Sequence, residues 1–345
     1  MTTQPRIMHL IVAPLILLAV ARPTWAQSYP TISEGRRIAM LKPPTERPVR
    51  MVFDTDTYNE IDDQFALVYA LISPELDVQA VYAAPFTNSR SSGPGDGMEK
   101  SYREIHRVLD RIAKRGAEVP LTVLRGSDRY LTPGAVSTPG SDPAVSPPPP
   151  VSSPAAADLV EKAMGRRDSV LYVVAIGAAT NVASALLLEP RIRERIVVVW
   201  LAGHPYTWPT AREFNLRQDP AASRVVFDSG VPLVHVPCKN VAEHLAVTVP
   251  ELASFLEDGD ELCRYLYETT REYIAERGRL SKPLWDVATV AWLRNPEWVP
   301  TALVPRPLLT SELTWSADPT RPLARVALDV RRDAVFRDLF GLLGG

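Results

Sequence analysis

A doubly wound α/β fold is the architecture this sequence predicts: one domain on a mainly parallel sheet, with helices on both faces. Three observations predict it. Apolar, Val-rich runs of strand length recur along the chain. Most lack polar alternation, which marks strands buried on both faces, as parallel sheets require. Helical patterns lie between them, and such alternation builds right-handed βαβ units.

The elements follow in order. The run 49–54 (VRMVFD) leads to a helical pattern over about 61–73, apolar almost all round from 65 to 72. A strand at 77–84 and a helix at 98–115 come next, then a strand at 119–125 and a helix at 155–166. The runs 169–176 (SVLYVVAI), 195–201 (RIVVVWL) and 231–237 (VPLVHVP) alternate with helices at 180–188 and 219–229. Helices at about 248–257, 259–278 and 284–294 follow. A strand (ARVALDV) and a short helix (AVFRDLFGLL) close the chain. No internal repeat is evident, and no linker divides two cores.

Two segments stand apart. In residues 1–27, Arg6 precedes an apolar stretch at 7–21, and Thr24-Trp25-Ala26 supplies a small-x-small cleavage pattern. This predicts a secretory signal peptide, with an uncleaved anchor as the alternative; either way the domain is exported, periplasmic or extracellular. Residues 133–154 hold eight prolines and one charge. Such a stretch cannot bury apolar area, so it is expected to be a flexible surface insertion, either a passive loop or a lid.

Composition removes several functions. Lys and Arg number 38 against 40 Asp and Glu, a balance that argues against nucleic acid as the partner. Beyond residue 27 no run reaches about 18 apolar residues, which excludes a multi-span membrane protein. Two cysteines exclude a disulfide scaffold and a cysteine-built zinc site. Cys238 and Cys263 are expected as buried thiols, although an exported protein can oxidise them. No Gly-rich phosphate loop or Ser nucleophile elbow is present.

The chemical signal is a carboxylate cluster where the first strand meets its helix. Asp54, Asp56, Glu60, Asp62 and Asp63 fall within ten residues. Crowded carboxylates cannot all ionise in a semi-buried place without a cation or protonation. An oxygen-only set favours Ca²⁺ or Mg²⁺ over zinc. A solvated acidic loop capping the helix is the bland alternative. It does not explain why the acids sit at the carboxyl end of a buried parallel strand, where open α/β sheets bind ligands. An EF-hand is excluded, because its fifth, sixth and twelfth positions would be Tyr58, Asn59 and Phe65. A haloacid-dehalogenase-type phosphatase would use Asp54-Thr55-Asp56, but its later Lys and acidic pair are not found.

The segment resembles the signature of the inosine–uridine-type nucleoside hydrolases, an Asp-x-Asp followed by Asp-Asp and an apolar helix. Further segments resemble that family in the expected order: Gly177-Ala178-Ala179-Thr180-Asn181, Val199-Trp200-Leu201-Ala202-Gly203, Glu213-Phe214-Asn215 with Asp219-Pro220-Ala221-Ala222, and Leu284-Trp285-Asp286. The resemblance spans about residues 49–341. It implies Ca²⁺ held by Asp54, Asp63, the Ile176 carbonyl and Asp286. It implies a metal-bound water deprotonated by Asp54 as general base. Asp62 and Asn215 would grip ribose hydroxyls, with Glu213 near the 5′ end and Asn88 among the substrate contacts. The substrate would be a small nucleoside or related N-riboside, and a homo-oligomer is implied by resemblance only.

The sequence also departs from the family. Five residues separate Asp56 from Asp62-Asp63 where four are usual, and the Pro-Gly turn is missing. Trp285 stands where many members carry a His that protonates the leaving base; its face can stack on an aromatic base instead. His204, at a strand end, is the candidate leaving-group acid. The leading expectation is a Ca²⁺-dependent N-glycosidase. A non-catalytic nucleoside- or sugar-binding protein is the rival, with a Mg²⁺ phosphatase more distant.

Overall fold

In the computed structural model, which describes residues 32–116, 121–132, 147–165 and 169–344, the apolar runs become strands of one eight-stranded sheet. The expected signal segment 1–27 lies outside the described residues, as does most of the Pro-rich insertion, 133–146. The rest of that insertion is irregular until a helix starts at Pro154.

The chain begins with α1 (Glu34–Met40), β1 (Val49–Thr55), α2 (Asp62–Ile72), β2 (Leu76–Ala83), α3 (Pro94–Ala113) and β3 (Thr122–Arg125). Next come α4 (Pro154–Gly165), β4 (Leu171–Ala175), α5 (Thr180–Leu188), β5 (Ile196–Leu201), α6 (Phe214–Gln218), α7 (Pro220–Asp228) and β6 (Leu233–Val236). Then follow β7 (Ala246–Thr248), α8 (Val249–Leu256), α9 (Glu261–Glu276), β8 (Ser281–Pro283) and α10 (Val287–Arg294). The last elements are β9 (Thr301–Pro305), β10 (Leu308–Leu309), β11 (Trp315–Ser316), β12 (Leu323–Ala327) and α11 (Arg332–Gly344).

The sheet order is β3-β2-β1-β4-β5-β6-β12-β9. Its pairs are parallel except β9 against β12. Beyond short elements of two to five residues (α6, β7, β8, β10 and β11), the sequence reading did not anticipate α1 or β9, and β9 alone of these belongs to the main sheet. Pro300 and Pro307 flank β9 and Pro305 ends it, which obscures its strand pattern. Its place at the sheet edge is where proline is tolerated.

Successive side chains on a strand point to opposite faces, and the two cores divide accordingly. Met51 and Phe53 of β1 pack with α2, α8, α10 and α11. Val52 packs on the other face with α4, α5 and α7. Continuous burial along β1, β4, β5 and β6 follows from this double cover. The chain reverses its direction of growth between β1 and β4. At such a switch point the crevice beyond the strand ends is left open for ligands.

Candidate active site

A cleft of about 290 Å³ opens beyond the strand ends; its lining includes Asp62, Asp63, Ile176, Asn215, Trp285 and Asp286. Asp62 and Asp63 are the first residues of α2, and Asp286 immediately precedes α10. Two helix N-termini therefore aim carboxylates at one place, and each helix dipole favours the negative charge there. One oxygen from each of Asp62, Asp63 and Asp286 lies within 4.8 Å of the others, and all three residues are buried.

Asp56 joins this group. It lies just past the end of β1, and among the described residues neither carboxylate oxygen meets a side-chain donor. Its carboxyl is within hydrogen-bonding reach of Asp63. Burial, then the charge of Asp63, pushes Asp56 far above the carboxylate range. Asp63 is pushed up to about 8 by burial and by Asp62, against a hydrogen bond from the Thr55 hydroxyl at 2.7 Å. Asp286 is raised by burial and by Asp62, Asp63 and Asp56. Lys282 pairs only with Asp62 of these four, at 2.7 Å, and its other carboxylate contact is Glu60 at 2.6 Å. Four buried carboxyls facing one shared lysine fit a hard divalent cation, which would supply the missing charge to an all-oxygen donor set.

Asp54 does not sit with these acids. Strand alternation turns it, like Val52, toward α5, where Asn181 donates to its Oδ1 at 2.8 Å. Burial raises its pKa to about 7, tempered by that hydrogen bond. Asn181 also donates to the Ala83 carbonyl at 3.3 Å and accepts from the Ser127 amide at 2.7 Å. The Thr-Asn motif is thus a clamp joining the ends of β1, β2 and β3 to α5. A Cβ at Gly126 would overlap both the Ala83 carbonyl and the Asn181 side chain. Gly177 is constrained on the other side: a Cβ there would stand 3.1 Å from Asp56 Cγ.

The remaining motifs fold around the same strand ends. Asp219 caps α7 by accepting from Ala222 N at 2.9 Å, and its other oxygen accepts from Thr180 Oγ1 at 2.7 Å. Glu213 caps α6, accepting from the amides of Asn215 at 3.0 Å and Gly203 at 2.8 Å. Its carboxylate lines the cleft and accepts three backbone amides, with Oε1 taking only one of them and so keeping acceptor capacity. Asn215 donates to the carbonyls of Ile176 at 2.9 Å and Leu201 at 3.0 Å. Both Asn215 N–H groups are thereby spent, which leaves its Oδ1 as an acceptor in the cleft. The Ile176 carbonyl keeps a second lone pair for a cation.

The cleft mouth is more open. Asn88 donates to Asn59 Oδ1 at 2.6 Å and accepts from the Arg90 amide at 2.8 Å. Trp285 has the ammonium groups of Lys239 and Lys282 each 5.9 Å from its ring centroid. His204 lines the cleft with Nδ1 unpartnered, and burial followed by the charge of Lys239 lowers its pKa. Cys238 and Cys263 are free and buried.

The structure thus brings together Asp62, Asp63, Ile176, Glu213, Asn215, Trp285, Asp286, His204 and Asn88, and directs Asp54 elsewhere. Sequence reading missed two residues. Asp56 had one usable signal: of the Asp-x-Asp pair, it alone lies beyond the strand. Lys282 had none, since its partners are distant in sequence.

Comparison with known proteins accords with this arrangement. The family described as inosine-uridine preferring nucleoside hydrolase matches residues 51–337. The pyrimidine-specific ribonucleoside hydrolase RihA of Escherichia coli O1:K1 / APEC is 30% identical over 250 residues, covering 68% of this chain and 77% of that protein. The solved inosine-guanosine nucleoside hydrolase superposes with a TM-score of 0.65 at 19% identity, covering 85% of this chain and 98% of that one. A purine-preferring ribonucleoside hydrolase from Gardnerella vaginalis gives a TM-score of 0.63 at 20% identity, over 86% and 98% of the respective chains. These two likenesses concern the fold. The family match, over most of the chain and across all the strand-end motifs, carries the conclusion: this protein belongs to the inosine–uridine preferring nucleoside hydrolases and is a hydrolase of N-glycosyl bonds.

Proposed function

We propose that the protein hydrolyses the N-glycosidic bond of ribonucleosides with the help of Ca²⁺. The observation that carries this reading is the buried group of Asp62, Asp63 and Asp286, with Asp56 against Asp63, four carboxyls short of positive charge at the switch point of the sheet. Asp56, Asp63, Asp286 and the Ile176 carbonyl would hold the ion, whose large oxygen-lined shell suits such a set. When bound, the ion lowers the pKa of a coordinated water and neutralises the acids.

The chain's own groups do the rest. Asp56 accepts the proton of the attacking water, the role that the family resemblance implied for Asp54. Asp54 and Asn181 hold the strand end beneath it. Asp62 and Asn215 Oδ1 accept ribose hydroxyls, and the surrounding carboxylates stabilise the oxocarbenium-like transition state. Trp285 offers a stacking face to the base, and His204 is the group available to protonate it as it leaves. Names of similar proteins range from pyrimidine-specific to purine-preferring, so the base is left open. The N-terminal pattern at 1–27 supports an exported enzyme; among the described residues no helix is long and apolar enough to cross a membrane.

The test is ribose release from inosine and uridine after EDTA treatment and again after added CaCl₂. Release that stops with EDTA and returns with CaCl₂ is expected. Nucleoside binding without release would favour the rival binding protein, which Trp285 and the lengthened loop at 57–61 suggest.

A further inference from the structure

Lys282 is a fully buried cation beside the acid group, and no motif explains it. Its Nζ donates to Glu60 Oε2 at 2.6 Å, Asp62 Oδ1 at 2.7 Å and the Pro283 carbonyl at 2.9 Å. All three ammonium protons are therefore placed. The other Glu60 oxygen accepts from the Tyr273 hydroxyl at 2.6 Å. A chain of contacts runs from α9 through Tyr273, Glu60 and Lys282 to the first residue of α2. Burying an ammonium is costly unless its partners are well placed, so this arrangement needs a reason.

Distance alone does not sort the acids, because Asp62, Asp63 and Asp286 each offer an oxygen within the same 4.8 Å. Charge sorts them. Asp62 has one oxygen committed to a fixed cation, which repels a divalent ion. Among the described residues, Asp63 has the Thr55 hydroxyl as its side-chain donor, and Asp56 has no side-chain donor. We propose that Lys282 partitions the acid group: it reserves Asp62 for ribose hydroxyls and leaves Asp56, Asp63 and Asp286 to the cation. This rests on the ribonucleoside-hydrolase reading of the cleft and adds a positioning residue to it. The same ammonium holds Glu60, in the loop that is one residue longer than the family's usual length.

The experiment compares Lys282→Met, Tyr273→Phe and the wild-type protein. Calcium affinity is read by calorimetry, and inosine and 2′-deoxyinosine kinetics give the sugar preference. In Lys282→Met, Ca²⁺ binding should be kept or tightened. KM for inosine should rise about tenfold or more, the scale of one charge-assisted hydrogen bond, with kcat less affected. The preference for inosine over 2′-deoxyinosine should shrink by a similar factor. Tyr273→Phe keeps the Lys282–Asp62 pair and should hold that preference within about twofold, below the effect of a typical hydrogen bond. Calcium affinity falling in step with sugar recognition would make Asp62 an ion ligand and overturn the partition. So would an unchanged sugar preference in Lys282→Met, or an equal loss in Tyr273→Phe. If Lys282→Met does not fold, Lys282→Gln keeps a donor without the charge and must show the same ordering with smaller shifts. A wild-type protein that releases no ribose defeats the functional reading instead. The partition is then read by saturation-transfer NMR with D-ribose and 2-deoxy-D-ribose, and equal weakening of both sugars by Lys282→Met overturns it.

Discussion

At the floor of the cleft, Asp56, Asp63 and Asp286 are at most 3% exposed, and the groups around them are held by strands, helix starts and a lysine. At its mouth, His204, Trp285 and Lys239 are partly open to solvent, and Lys239 pairs with Glu243, four residues away, beside the Trp285 ring. The difference teaches where selectivity resides. Buried polar groups that lose a partner cost about 1–3 kcal/mol each, so the floor is stringent toward sugar and ion. A half-open aromatic face tolerates exchange of what stacks on it, so the mouth tunes the base without deciding whether the reaction occurs.

The largest effect should come from the floor. Asp56→Asn should lower turnover by several powers of ten, roughly the scale of general-base and metal contributions combined. Asp63→Ala and Asp286→Ala should abolish Ca²⁺ binding in calorimetry. Asp54→Asn should cost less, because Asp54 acts through Asn181. Equal losses from Asp54→Asn and Asp56→Asn, in steady-state assays of folded variants, would remove the distinction drawn between them.

A second expectation concerns stability and pH. Asp54 and Asp63 are raised by burial to about 7 and about 8. The folded protein therefore prefers them protonated. That contribution is fully present below about pH 4, the unfolded value, and is lost as pH rises through 7 to 8. Metal-free protein should melt at least several degrees lower at pH 8 than at pH 5, on the order of a few kcal/mol. Added CaCl₂ should recover the loss at pH 8 and do little at pH 5. Calorimetric melts with and without calcium check both signs.

The smallest effect should come from the mouth. His204→Gln should slow inosine cleavage by roughly a hundredfold, the low end for a general acid. It should leave a p-nitrophenyl riboside nearly untouched, since that leaving group needs no proton. Equal losses on both substrates would place His204 in the floor's work.

Much of this was legible in the sequence, for physical reasons. The buried runs predicted β1, β4 and β5 because double cover removes polar alternation. The Thr180-Asn181, Glu213 and Asp219 motifs could be ordered, and the structure gives their reasons: a clamp and two helix caps. What stayed hidden depended on contacts across the fold. The choice between Asp54 and Asp56 turns on where β1 ends, which composition does not mark. Lys282 meets Asp62 across 220 positions of sequence, and no local pattern records that. β9 was masked by its prolines, which signal a break unless the strand is known to lie at an edge.

The division between floor and mouth is tested most directly by one comparison in calcium-loaded wild-type protein: kcat/KM for inosine, 2′-deoxyinosine and p-nitrophenyl riboside. Loss of one ribose hydroxyl should cost about ten- to a hundredfold, as one unpaired buried group implies, and the activated riboside should be cleaved faster than inosine. Cleavage of 2′-deoxyinosine as fast as inosine, or no gain with the activated riboside, would contradict the account.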